Sequence, residues 1–119
     1  MHIKLDKDYE VKTTLGTICD IEKTFGKGFF ELAGEIGKMT TDQQIKLLYV
    51  GVRKAQPEIA EETFNTLCEN HLGLGDMTDY LEQFILQLQY PGFSREEIQK
   101  KIEMKMKQAE RLKGLNGMK

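Results

Sequence analysis

The feature that most limits the fold of this chain is the run Ile45, Leu47, Leu48, Tyr49, Val50, Gly51, Val52. Its apolar residues occupy adjacent positions, so they cannot share the single stripe of a surface helix. A helix that is apolar on more than one side must be surrounded, which puts this segment at the centre of a bundle. Thr41 and Gln44 have capping-box spacing and predict its start, with an end near Lys54, ahead of Pro57. Gly51 inside such a helix costs roughly 1 kcal/mol relative to Ala. That cost predicts another helix crossing close at Gly51.

The flanking segments supply what surrounds it. His2, Ile3, Lys4, Leu5 and Tyr9, Glu10, Val11, Lys12 alternate about an Asp6-Lys7-Asp8 turn. This predicts a short hairpin, a unit that needs something to pack on. From Thr14 the period changes. Leu15, Ile18, Cys19, Ile21 and Phe25 recur at three and four, one helical face, with Gly26 as the stop. Phe29, Phe30, Leu32, Ala33 and Ile36 give a two-turn helix closed by Gly37. Two adjacent phenylalanines cannot both face one core, so one is expected inside and the other against a neighbouring helix or a partner.

After Pro57, Ile59, Ala60, Phe64, Leu67, Cys68 and His71 line a helix ending before Gly73. Leu72-Gly73-Leu74-Gly75-Asp76 reads as a connector, because it lacks the spacing of a phosphate or dinucleotide loop. Asp76 or Thr78 then caps a helix bearing Tyr80, Leu81, Phe84, Ile85 and Leu88, broken at Tyr90-Pro91-Gly92-Phe93. Ser94 and Glu97 open a last helix, expected to run to about Lys113 with Gly114 and Gly117 ending it. Ile98, Ile102, Met106, Ala109 and Leu112 lie along one side, the other faces are basic, and Met104, Met106 and Met118 are adaptable contact residues. The expected fold is mainly α: a compact bundle of about five to six short helices with a short N-terminal β element and a longer C-terminal amphipathic helix. Residues 1–93 form the helical core domain and 94–119 the basic helix with a mobile tail.

At 119 residues the chain is one domain's worth. Its net charge of −2 gives no global case for nucleic acid, but residues 95–119 carry net +4 and the first 94 carry −6. A basic tail behind an acidic body marks an interaction surface or a solvated helix of mixed charge. Cys19 and Cys68 have no C-x-x-C spacing and sit among apolar neighbours, as reduced cysteines in a cytoplasmic protein do. No run of about 18 apolar residues predicts a membrane span, and Met1-His2-Ile3-Lys4 lacks an export signal.

No cofactor motif or metal-ligand cluster appears, and His71 is read as a partner for the last carbonyls of its helix. Glu61-Glu62 and Glu96-Glu97 are adjacent pairs that point to different helix faces, so neither makes a shared acid–base site. The chain reads as a non-enzyme.

The order of elements resembles the tail assembly chaperones of long-tailed bacteriophages and related prophages. There, a helix of the form LG-x-I-x-x-I/L-E-x-x-x-G precedes an F-F-E-L-like helix and then L-L-Y-x-G-L/V-x-x-A-x-P-E. The correspondence runs through Leu15, Gly16, Ile18, Ile21, Glu22 and Gly26, then Phe29, Phe30, Glu31 and Leu32. It continues at Leu47, Leu48, Tyr49, Gly51, Val52, Ala55, Pro57 and Glu58, and with the following helices spans Tyr9 to Phe93. The basic end has no counterpart in the pattern. The resemblance implies a small helical protein that binds the long tape measure protein, keeps its helical apolar segments soluble and helps recruit tail tube subunits. Such a protein is absent from the finished virion and acts in the bacterial host cytoplasm. It also implies self-association along the client; the residues themselves point to no small-molecule substrate, cofactor, metal or membrane.

Expected exposure nominates Phe30, Tyr49, Ile98, Ile102 and Met106 as partner contacts. The last helix can fold back on its own domain or project toward another chain. A competing assignment is a small helical adaptor or regulatory protein that self-associates or binds nucleic acid through the basic helix. The basic helix is terminal, however, whereas a helix-turn-helix carries its recognition helix inside the fold.

Overall fold

The computed structural model describes residues 1–117 along the backbone, and their side chains except for Arg95 and residues 109–117. Two strands, β1 (His2–Lys4) and β2 (Asp8–Glu10), precede α1 (Leu15–Phe25), α2 (Phe29–Glu35), a 3₁₀ turn (Ile36–Lys38), α3 (Thr41–Ala55), α4 (Glu61–His71), α5 (Leu74–Gln89) and α6 (Arg95–Gly117). The fold is the expected helical bundle with a short β element.

The centre is α3, where Leu47 to Val52 are all buried. An ideal Cβ at Gly51 would lie 2.5 Å from Val11 Cγ1 and 2.9 Å from the Phe84 ring of α5. The missing side chain is the space that lets α5 and the segment after β2 close on α3. The Gly51 carbonyl also accepts the Lys12 N–H at 3.0 Å.

The hairpin pairs antiparallel with Ile3 opposite Tyr9. Its alternation puts Ile3, Leu5, Tyr9 and Val11 on one buried face, so the strands gain the support that an isolated hairpin lacks. A second tie runs from the Lys4 N–H to Tyr80 Oη at 3.1 Å.

Helix ends follow local chemistry, with three differences from expectation. Thr40, not Thr41, caps α3, reciprocally with Gln43; the Thr-Thr and Gln-Gln doublets admit either register, and the backbone takes the earlier one. The glycine-rich connector is helix from Leu74 onward. Gly73 is the cap residue, and its N–H donates to Asp76 Oδ2 at 2.8 Å, which supplies the reach-back half of a capping box. At the far end α6 continues through Gly114 to Gly117. Gly26 does stop α1, in the left-handed conformation at φ 69°. Gly28 has no side chain to cap α2, and Glu22 of α1 does so instead, its Oε2 accepting the Phe29 N–H at 2.9 Å.

In α1 the buried positions are Thr17 and Ile21, while Leu15 and Cys19 are exposed. The helix is therefore rotated from its apolar stripe. Thr17 tolerates burial because its hydroxyl lies 3.2 Å from that of Thr14, the cap residue. Asp20, on the side of α1 toward α3, joins Lys54 at 3.0 Å.

Beyond the Pro91-Gly92 break, α6 leaves the bundle. Ile98 is buried, Ile102 is half-buried, and Glu103 through Gln108 are exposed. The molecule measures 58 × 30 × 26 Å. Its radius of gyration of 16.5 Å exceeds the roughly 13.5 Å of a compact chain this long. Ala109 and Leu112, which the sequence adds to the α6 stripe, lie outside the described side chains, and the tail residues Met118 and Lys119 outside the described backbone.

Candidate interaction surface

Between α5 and the end of α2 runs an apolar groove. Its floor is Leu81, Ile85 and Leu86 of α5, and its wall is Ala33, Ile36 and Gly37 at the end of α2 and the turn after it; the volume is about 410 Å³. Burial of Leu81 and Phe84 turns one side of α5 to the core, and the four-residue spacing sets Ile85 and Leu86 at the border of that side. A second hollow of about 290 Å³ continues past Glu82 and Leu86, which both share, to Glu96, Ile98 and Gln99 of α6. The groove thus ends where α6 begins. Glu82 and Glu96 are exposed at its edge.

Exposed large apolar side chains give a second kind of surface. Leu15 and Phe30 are about four-fifths exposed (80% and 79%), and Met104 and Met106 are 62% and 61% exposed. Phe30 behaves as the phenylalanine pair requires: Phe29 is buried, and the Phe30 ring stands edge-on to it at 5.5 Å.

The five nominated contact residues therefore separate. Phe30 and Met106 are free to meet a partner, and Ile102 is half so. Tyr49 and Ile98 lack the exposure that nominated them. Tyr49 is buried, with its hydroxyl donating to the Ile59 carbonyl at 2.6 Å and its ring 5.6 Å from Phe64, so it fixes the loop before α4. Ile98 is buried at the end of the groove, where α6 is anchored. The structure does not gather the nominated residues into one patch. The groove itself was missed, since its lining comes from three separate segments; the clue in the sequence was Ile85 and Leu86 beside the buried Leu81 and Phe84, more apolar surface than one core-facing stripe requires.

The root of α6 is held by cations and rings. Lys101 Nζ sits 4.2 Å from the Phe93 ring centroid and 5.3 Å from that of Tyr90. Lys105 Nζ lies 2.7 Å from Tyr90 Oη. Pairs of this kind contribute about 0.5–1 kcal/mol when exposed. They anchor the helix without covering its apolar side.

Chemistry is sparse elsewhere. Burial pushes the Cys68 thiol up to about 11, so it stays protonated and inert at neutral pH. Lys27 is raised by its 2.8 Å contact with Glu35. Among the described residues no group of three or more His, Cys, Asp or Glu is placed to hold a metal ion, and no helix is long and apolar enough to cross a membrane. Comparison with protein-family models, curated proteins and solved structures finds no match for this chain.

Proposed function

We propose that this protein is a phage or prophage tail assembly chaperone that binds the tape measure protein, keeps it soluble and helps recruit tail tube subunits in the bacterial host cytoplasm. The observation that carries the proposal is the pairing of an unfilled apolar groove with Phe30 and Met106 exposed on a folded bundle. These are surfaces suited to helical apolar stripes of a client. Methionine suits transient cover, because its unbranched side chain adapts to many partners.

The resemblance supports the same proposal through what its positions do here. Gly26 stops α1, Glu22 caps α2 and Gly51 admits Phe84, so the shared pattern specifies a scaffold rather than a catalytic site. In this mechanism, apolar faces of the client are covered by the groove and by Phe30 until tube subunits displace them.

The test is co-expression with a tape measure protein, the client that the proposal names. The expected result is a client soluble with this chain and aggregated without it, with Phe30→Glu reducing the soluble fraction. A client equally soluble in both cases overturns the proposal.

A second assignment, an adaptor that binds nucleic acid through α6, is favoured by the exposure of Lys100 and Lys107. It predicts duplex DNA binding that weakens steeply as salt rises.

A further inference from the structure

We propose that the Tyr90–Phe93 turn and two lysines of α6 form a latch that fixes the direction in which α6 leaves the bundle. The latch stands independently of the chaperone proposal.

A helix attached at one point can pivot there. Ile98 is the only buried residue among the described side chains of α6, and it lies in the first turn. It fixes where the helix is rooted but not its angle. At 1.5 Å per residue α6 is roughly 35 Å long, so a small change of angle at the root carries its far end a long way.

The turn is the first part of the latch. Pro91 and Gly92 occupy its two central positions, the Phe93 N–H donates to the Tyr90 carbonyl at 3.3 Å, and Gly92 has φ 80°, which are the sequence and glycine geometry of a type II turn. Gln87 splints it from the last turn of α5. Its Nε2 donates to the Phe93 carbonyl at 2.7 Å, and its Oε1 accepts the Gly92 N–H at 3.3 Å. Ser94 Oγ then accepts the Glu97 N–H at 3.2 Å, which carries the fixed backbone into α6.

The second part acts away from the pivot. Lys101 and Lys105 are four apart, so they share one side of α6, and that side faces the turn. The Tyr90 and Phe93 rings stand edge to face at 6.5 Å, with Lys101 over both. Lys105 Nζ lies 5.1 Å from the Tyr90 ring centroid and donates to Oη. Lys105 is seven residues beyond Ile98, roughly 10 Å along the axis, so lifting α6 from the turn breaks its contact and that of Lys101 together. Ile98 sets the position of the helix and the lysines set its inclination. The exposed Met104 and Met106 are thereby offered to a partner at a preset angle, which lowers the ordering cost of binding.

The test is the distance between spin labels on Cys19 and on Gln108→Cys, measured by pulsed electron resonance on the full chain. Cys19 and Gln108 are exposed whereas Cys68 is buried, so labelling is confined to the chosen pair. Lys101→Gln with Lys105→Gln opens the latch; Lys100→Gln with Lys107→Gln removes the same charge without touching the rings. All four lysines are exposed, so neither pair upsets the core. The control pair loses two helix-supporting partners, Glu96–Lys100 and Glu103–Lys107, against one for the latch pair, Glu97–Lys101. Fraying of α6 would therefore show at least as strongly in the control.

The labelled parent is expected to give one narrow distance, and the control pair the same. The latch pair should raise the share of molecules outside that peak about tenfold. A broad distribution in the parent, an unchanged one in the latch pair, or equal broadening in both pairs overturns the inference.

Discussion

Helices α3 and α6 reach the same secondary structure by opposite routes. The middle of α3 sets four weaker helix formers in succession, Tyr49, Val50, Gly51 and Val52, and all six residues from Leu47 to Val52 are buried. Its stability is borrowed from its neighbours. In α6, Glu, Lys, Gln and Met predominate, and Glu96–Lys100, Glu97–Lys101 and Glu103–Lys107 stand four apart with the acid first, the favourable order. It is helical with only Ile98 buried among its described side chains. A helix that holds its own shape is free to present an apolar side to another molecule, whereas one held by burial has none to offer.

That contrast can be broken most decisively by hydrogen exchange. Amides of Leu47 to Val52 should exchange only on global unfolding, and those of Glu103 to Gln108 orders of magnitude faster. Equal protection would mean that α6 lies against the bundle in solution. Next in size is Phe84→Ala, which removes the ring packed at Gly51. It should lower stability by about 3–5 kcal/mol in urea unfolding. A loss under about 1 kcal/mol would show that burial does not hold α3.

Gly51→Ala sharpens the same point, because propensity and packing oppose each other. Ala gains roughly 1 kcal/mol in helix propensity, but its methyl meets Val11 and Phe84, and overpacking costs about 1–3 kcal/mol. Net destabilisation of about 1 kcal/mol is expected, and a higher unfolding midpoint would reverse the account. The smallest effect belongs to α6: Met104→Gln should change stability by less than about 0.5 kcal/mol.

Much of the bundle was legible because its determinants are local or periodic. The hairpin face, the centrality of α3, the crossing at Gly51 and the break at Pro91-Gly92 all follow from spacing or backbone chemistry. What was not legible depended on contacts between segments. A polar Thr17 reads as surface until Thr14 is seen to occupy its hydroxyl. Gly73-Leu74-Gly75 reads as loop because glycines weaken a helix, yet Asp76 and the burial of Met77 outweigh them. Tyr49 reads as a contact residue until the Ile59 carbonyl, ten residues on, is found within reach of its hydroxyl.

The candidate surface was half visible. Phe30, Ile102 and Met106 could be picked from sequence, since an apolar residue beyond what a core requires is a one-dimensional signal. The groove could not, because Ala33, Gln44 and Ile85 are brought together only by the fold.

The meeting of Val11, Gly51 and Phe84 also sets an order of events during synthesis. Residues 3–11 leave the ribosome well before residues 77–88, yet each completes the other's environment across α3. The hairpin can meet α3 first, through Val11 and the Lys12–Gly51 hydrogen bond, but its remaining cover, the Phe84 ring and the Tyr80 hydroxyl, comes only once α5 has been made. Because α6 is made last, Ile98 is the final buried residue to be delivered to the bundle.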